Sequence, residues 1–155
     1  MTLSQLLPQL FVGSCPTNID DIDRLRTDHG ITAVLSLQTD DELDYSELGR
    51  SRIEDYCDES GISVQRIPVE AFDGEEGTRD LSRCVAALDE LIQRGHTVCI
   101  HCNLGTVRSP SVVIAYLVWR QGWKLTDAVE HVRSCHSCSP YIAAILLADC
   151  DLVAA

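Results

Sequence analysis

A chain of 155 residues is long enough for one domain with a proper core. Its 45% hydrophobic content and mean hydropathy near zero describe a soluble globular fold. A net charge of −12 opposes general attraction to nucleic acid or to an anionic membrane, and apolar runs such as Val112–Trp119 and Ile142–Ala148 are far too short to span a bilayer.

In chain order, Met1–Leu10 lacks the basic start and long apolar stretch of a secretory leader, which suggests a cytoplasmic setting. The eight cysteines then read as mostly free thiols, some able to regulate a neighbour by forming a disulfide. Gln9–Gly13 reads as a short strand. Residues 18–28 suit a helix, with Ile19, Ile22 and Leu25 on one side and Gly30 beyond the end. Ile31–Gln38 is a buried strand, and the acidic run Asp40–Asp44 reads as a solvated turn. Residues 51–59 form a helix before Gly61, and Ser63–Val69 is the next strand.

The clearest amphipathic helix covers 79–94, where Leu81, Cys84, Val85, Leu88, Leu91 and Ile92 share a face and Gly95 ends the run. Thr97–Cys102 is a strand. The helix over 110–121 is apolar nearly all round and therefore central. Thr126–Ser134 and 140–152 are further helices, the last opened by Ser139-Pro140. Alternating strands and helices followed by helices specify an α/β domain over 1–155. Its central sheet is mostly parallel, with four to five strands, and is flanked by helices. The sequence does not specify an oligomeric state.

The segment from Val98 to Pro110 carries the chemistry. A β-branched run ends in His101-Cys102, five residues with a central glycine follow, and Arg108-Ser109-Pro110 opens the apolar helix. A helix N-terminus presents unpaired N–H groups and the positive end of the dipole, so it binds phosphate and lowers the pKa of a nearby thiol. Cys102 supplies the sulfur. Gly105 lets successive N–H groups turn inward as an anion nest. Arg108 offers a planar fork to two phosphate oxygens. Ser109 reads as the N-cap, with a hydroxyl able to reach the sulfur, and Pro110 as the first helical residue. Asn103, Leu104, Gly105, Thr106, Val107 and Arg108 would together line the cradle. Two pairs, Cys99-x-x-Cys102 and Cys135-x-x-Cys138, admit a zinc or thiol-redox reading. Strand alternation aims Cys99 and Cys102 at opposite faces, and neither reading uses the glycine and arginine. His29, His96, His131 and His136 show no pairing logic and read as surface residues.

His101-Cys102-x5-Arg108-Ser109 resembles the active-site loop of the cysteine-dependent protein tyrosine and dual-specificity phosphatases. Phe11–Pro16, Leu35–Asp40 and Gln121–Leu125 resemble, more narrowly, the catalytic domain of the plant glucan phosphatases, a likeness spanning about residues 8–152. The resemblance implies a dual-specificity-phosphatase-like fold, Cys102 as nucleophile, Arg108 and the loop amides as the phosphate holders, and no metal or cofactor. It also implies a general acid on a loop upstream of the cysteine. There, an ungapped count puts Ala71-Phe72 where the glucan phosphatases have Asp-Phe. Asp73 is the favoured acid and Glu70 the alternative. Tyr45 and Phe72 match aromatic positions that line the glucan channel, with Phe72 expected at the substrate; buried packing explains both equally. Val107 departs from the glycine that the subgroup carries before its arginine. Expected substrates are phosphoprotein side chains first, and phosphorylated glucan or another phosphorylated small molecule second. A phosphate-binding pseudophosphatase is the rival reading.

Overall fold

The chain folds as β1 (Leu3–Leu7), β2 (Leu10–Gly13), α1 (Ile19–Thr27), β3 (Ala33–Ser36), α2 (Asp40–Asp44), α3 (Arg50–Glu59), β4 (Ser63–Arg66), α4 (Gly74–Gln93), β5 (Val98–His101), α5 (Arg108–Trp119), α6 (Leu125–Cys135) and α7 (Ile142–Ala154). The computed structural model describes residues 1–45 and 49–154, with 149–154 described through the backbone only. The five strands form one sheet in the order β1-β2-β5-β3-β4. β1 and β2 make an antiparallel hairpin; every other neighbouring pair is parallel.

Period-two alternation divides the core. Val12, Leu35, Val98 and Ile100 face one side, where Leu81, Val85 and Leu88 of α4 and Val112–Leu117 of α5 cover them. Phe11, Val34 and Cys99 face the other side and meet Ile22 and Leu25 of α1 and Ile53 and Cys57 of α3. Each fully buried branched side chain contributes roughly 1.5–3 kcal/mol of transfer free energy. Central β5 is thereby clamped from both faces, and its C-terminal end is fixed in space. That end carries Cys102.

Several local expectations shift. β1 is an added strand; its Leu-Ser-Gln-Leu-Leu sequence lacks clean alternation, and it forms by pairing Leu3–Leu7 with Leu10–Gly13. The acidic run Asp40–Asp44 is not a solvated turn but a short helix. Thr39 caps it by accepting from Glu42 N, while the Glu42 carboxylate returns to Thr39 N, a complete capping box. α4 begins five residues earlier than its apolar stripe, at Gly74, with Asp73 as N-cap. α5 begins at Arg108 with Val107 as N-cap, so Ser109 is no cap; it lies inside the first turn with its hydroxyl buried. The last helix begins at Ile142, two residues beyond Pro140, and the Tyr141 N–H just before it donates to the Ser111 hydroxyl.

Candidate active site

Cys102 follows β5 directly. Its Sγ is buried, 3.3 Å from the Ser109 hydroxyl in the first turn of α5. Between them runs the loop Asn103–Val107, four of whose five carbonyls, all but that of exposed Leu104, are bonded on the outward side. The Cys102 carbonyl accepts from His101 Nδ1 (3.1 Å), and the Asn103 carbonyl from Cys15 N (3.1 Å). The Gly105 carbonyl accepts from His136 Nε2 (2.7 Å), and the Thr106 carbonyl from Ser139 N (2.7 Å). The Val107 carbonyl accepts from the amide (3.2 Å) and the hydroxyl (2.7 Å) of Ser111. In a trans peptide the N–H opposes the C=O. Each outward carbonyl therefore turns the following N–H inward, over the sulfur. Gly105 makes this closure possible. Its φ is +76°, and a Cβ there would lie 2.6 Å from the Gly13 carbonyl and the Ser14 nitrogen.

Arg108 is the first residue of α5 and half-buried. Its Nη1 and Nη2 donate to Glu42 Oε2 (3.0 Å) and Oε1 (2.7 Å), and Nη1 also donates to the Val69 carbonyl (2.7 Å). The end-on fork of the guanidinium is thus spent on protein. The side-on fork, Nε–H with the second Nη2–H, is the geometry that donates to two oxygens of one anion. Burial works to raise the Glu42 carboxyl, but the bonds from Arg108 and Thr39 together outweigh it and hold the group below the ordinary glutamate value. Burial likewise opposes the Arg108 charge, and Glu42 and the nearby Cys102 overcome it. His101 is 3% exposed, and burial pushes its imidazole down to about 4, so the ring is neutral and donates through Nδ1.

The loop residues expected at the cradle are brought together. Leu104 is exposed at its rim, while Asn103 accepts from Gln38 Nε2 (3.1 Å) and the Cys15 thiol (3.6 Å). Asp73 and Glu70 are both exposed and line a neighbouring cleft with Thr39, Val69, Glu76 and Asp80. That cleft meets the Arg108 site at Val69, and the Asp73 side chain does not cap α4. Two expectations are corrected. Phe72, placed at the substrate, is only 2% exposed and packs edge-on to Tyr141 inside the core. His136, read as a surface residue, is 7% exposed and bonds the loop; His96 and His131 also hold partners, Thr32 and the Leu6 carbonyl. Cys99 packs in the core on the far face of the sheet from Cys102.

Sequence reasoning missed Glu42 and His136. The Thr39-x-x-Glu42 pattern carried a capping-box signal that would have located α2. His136 carries no local signal, since its partners lie 31 and 132 residues away.

A buried thiol at a strand end, a ring of inward amides and a braced arginine at a helix start define a cysteine-based phosphatase site. A family model described as the dual specificity phosphatase catalytic domain matches residues 10–142, and the chain belongs to that family of cysteine-based phosphatases. It is 33% identical over 99% of its length to the chloroplastic phosphoglucan phosphatase LSF1 of Arabidopsis thaliana. It is also 33% identical over 94% of its length to the amyloplastic phosphoglucan phosphatase DSP4 of Castanea sativa. The chain spans only 26% and 39% of those two relatives. Among solved structures, PTPMT1 superposes with a TM-score of 0.76 at 19% identity, over 95% of this chain and 91% of that one.

Proposed function

We propose that this domain hydrolyses phosphate monoesters of a glucan through a phosphocysteine intermediate. The observation that carries the reading is the outward bonding of the loop carbonyls around a buried Cys102. Cys102 attacks phosphorus as the thiolate; the S–P bond forms as the ester P–O bond breaks. The inward amides and the side-on fork of Arg108 stabilise the equatorial oxygens. Asp73 gives its proton to the leaving alcohol. As carboxylate it then takes a proton from the water that cleaves the S–P bond, releasing phosphate and restoring the thiolate. The Ser109 hydroxyl, 3.3 Å from Sγ, supports the thiolate in both states. Glu42 does not serve as the acid, because it is held ionised and both its oxygens accept from Arg108. The scheme uses no metal or cofactor.

Two observations favour a glucan over a phosphoprotein, reversing the order suggested by the loop alone. The relatives at 33% identity are phosphoglucan phosphatases by name. Tyr45 is 90% exposed at the end of α2, the helix that carries Glu42, and an open aromatic face suits a sugar ring. The test is a panel of phosphorylated amylopectin, phosphotyrosine and phosphothreonine peptides, and an aryl phosphate. Release of phosphate from the glucan is expected, with Tyr45→Ala losing several-fold more on glucan than on the aryl ester. Hydrolysis of the peptides with none of the glucan would overturn the substrate. Asp73→Ala should slow unactivated esters far more than aryl phosphate, whose leaving group needs little protonation. The same pattern with Glu70→Ala instead would transfer the acid role.

A further inference from the structure

We infer that His136, held by Ser4, is a positioning residue for the phosphate loop: it locks the peptide between Gly105 and Thr106 with its carbonyl outward and its amide over Cys102. The inference rests on the reading of the loop as an oxyanion cradle and adds a part that the motif does not contain.

Among the groups behind the loop, His136 is the side chain that holds the carbonyl of the loop's glycine. The Asn103 and Thr106 carbonyls are met by backbone amides, those of Cys15 and Ser139, and the Val107 carbonyl by the first turn of α5. These backbone donors are present whatever side chains stand there; the Ser111 hydroxyl adds to the Val107 carbonyl, and His101 Nδ1 meets the Cys102 carbonyl at the start of the loop. The Gly105 carbonyl is met by a side chain, His136 Nε2 at 2.7 Å. A carbonyl only accepts, so Nε2 carries the hydrogen, and in the neutral ring Nδ1 accepts from the Ser4 hydroxyl at 2.8 Å. Both ring nitrogens are used, which fixes the ring plane and aims the donor.

The place where this bond acts matters. Gly105 stands at φ +76°, in the region open to glycine, and glycine imposes the weakest resistance to rotation of the peptide that follows it. Without the bond, that peptide is free to turn over. Turning would remove the Thr106 N–H from the cradle and aim a carbonyl oxygen at the anion, exchanging attraction for repulsion. His136 is buried and belongs to the C-terminal end of α6, while Ser4 belongs to β1. His131, five residues earlier on α6, bonds the Leu6 carbonyl of the same strand at 2.8 Å. The edge strand and α6 are thus fastened together, and the ring is presented to the loop from a rigid support.

The test measures oxyanion affinity by calorimetry with vanadate, alongside kcat and KM on an aryl phosphate, at temperatures where circular dichroism shows each variant folded. His136→Ala is expected to weaken vanadate binding and kcat/KM together by about tenfold, the size of one lost hydrogen bond of this kind. His136→Gln keeps a donor near the Nε2 position and is expected to restore most of both. Ser4→Ala, which leaves the ring in place but frees it, is expected to lose about threefold. Should His136→Ala fail to fold, Ser4→Ala and His136→Gln carry the comparison. Wild-type vanadate affinity in Ser4→Ala and His136→Ala, whatever happens to their melting temperatures, would overturn the inference and leave the phosphatase reading intact. Equal losses in His136→Ala and His136→Gln would reduce the ring to packing and overturn it too. A wild-type domain that binds no vanadate would overturn both this inference and the reading beneath it.

Discussion

Arg108 serves two partners through two different edges, and its neighbours decide how well it serves the second. Glu42 and the Val69 carbonyl hold three of the five guanidinium donors and so fix the plane of the group. Glu42→Gln keeps the size of the side chain but replaces one acceptor with an amide donor, which faces a cation. We expect kcat/KM on an aryl phosphate to fall roughly 10- to 100-fold, as befits loss of a charge-assisted bidentate pair, with phosphate inhibition weakened in parallel. Unchanged phosphate affinity would show that the arginine keeps its aim without Glu42. Cys102 has a simpler test. Cys102→Ser removes the nucleophile while leaving the amides and Arg108 in place, so turnover should vanish and vanadate or phosphate should still bind in a calorimeter. Residual turnover in that variant would mean that another group attacks phosphorus.

At the scale of elements, the loop depends on a close approach between Gly105 at its turn and Gly13 at the end of β2. Gly105→Ala meets both a positive φ and backbone atoms of Gly13 and Ser14 at 2.6 Å, so the loop and β2 cannot both keep their places. We expect at least about 1–2 kcal/mol of lost stability by denaturant unfolding and no measurable oxyanion binding. The same elements show where sequence carried the structure and where it did not. The β5–loop–α5 unit was legible because all of its determinants are local: a β-branched run, a glycine at the turn and an apolar helix. Helix α6 was legible from its stripe to within one residue at each end, and α4 at its C-terminal end, while its start lies five residues before the stripe. Ser109 misled because Ser-Pro is the usual cap signal; here the first-turn amides are left to face an anion and the hydroxyl turns to sulfur instead. The Asp40–Asp44 run looked like solvated charge because its decisive contact, Glu42 with Arg108, joins residues 66 apart. Phe72 matched an aromatic position by alignment, but whether a ring faces a cleft or a core is set by packing with Tyr141, which no local pattern encodes.

Across the whole molecule, one sheet presents two chemical environments at the end of one strand. Cys102 lies on the face covered by α4 and α5, whereas His101 points to the opposite side, among the residues behind the loop that include Ser36 and Gln38. Burial there depresses the His101 imidazole to about 4 from an ordinary 6.5, with the Arg108 charge adding to the effect. The consequence for stability has a definite sign. Between pH 6.5 and about 4 the unfolded chain binds a proton at His101 that the folded protein refuses, so acid favours unfolding across that interval. The span corresponds to about 3 kcal/mol, fully retained above pH 6.5 and fully lost below about 4. Glu42 acts in the same direction in a lower window. Its folded value lies beneath the ordinary 4.5, so its stabilisation is present above that value and is lost as the pH drops through the depressed one. Denaturant unfolding of the wild type should therefore show stability declining from pH 6.5 downward and then declining further below 4.5. His101→Asn, which cannot titrate, should flatten the upper part of the curve, and Glu42→Gln the lower part. A wild-type curve that stays level from pH 6.5 to 4.5 would mean that the ring is charged or hydrated in the fold, and that the loop stands on a cation at its back.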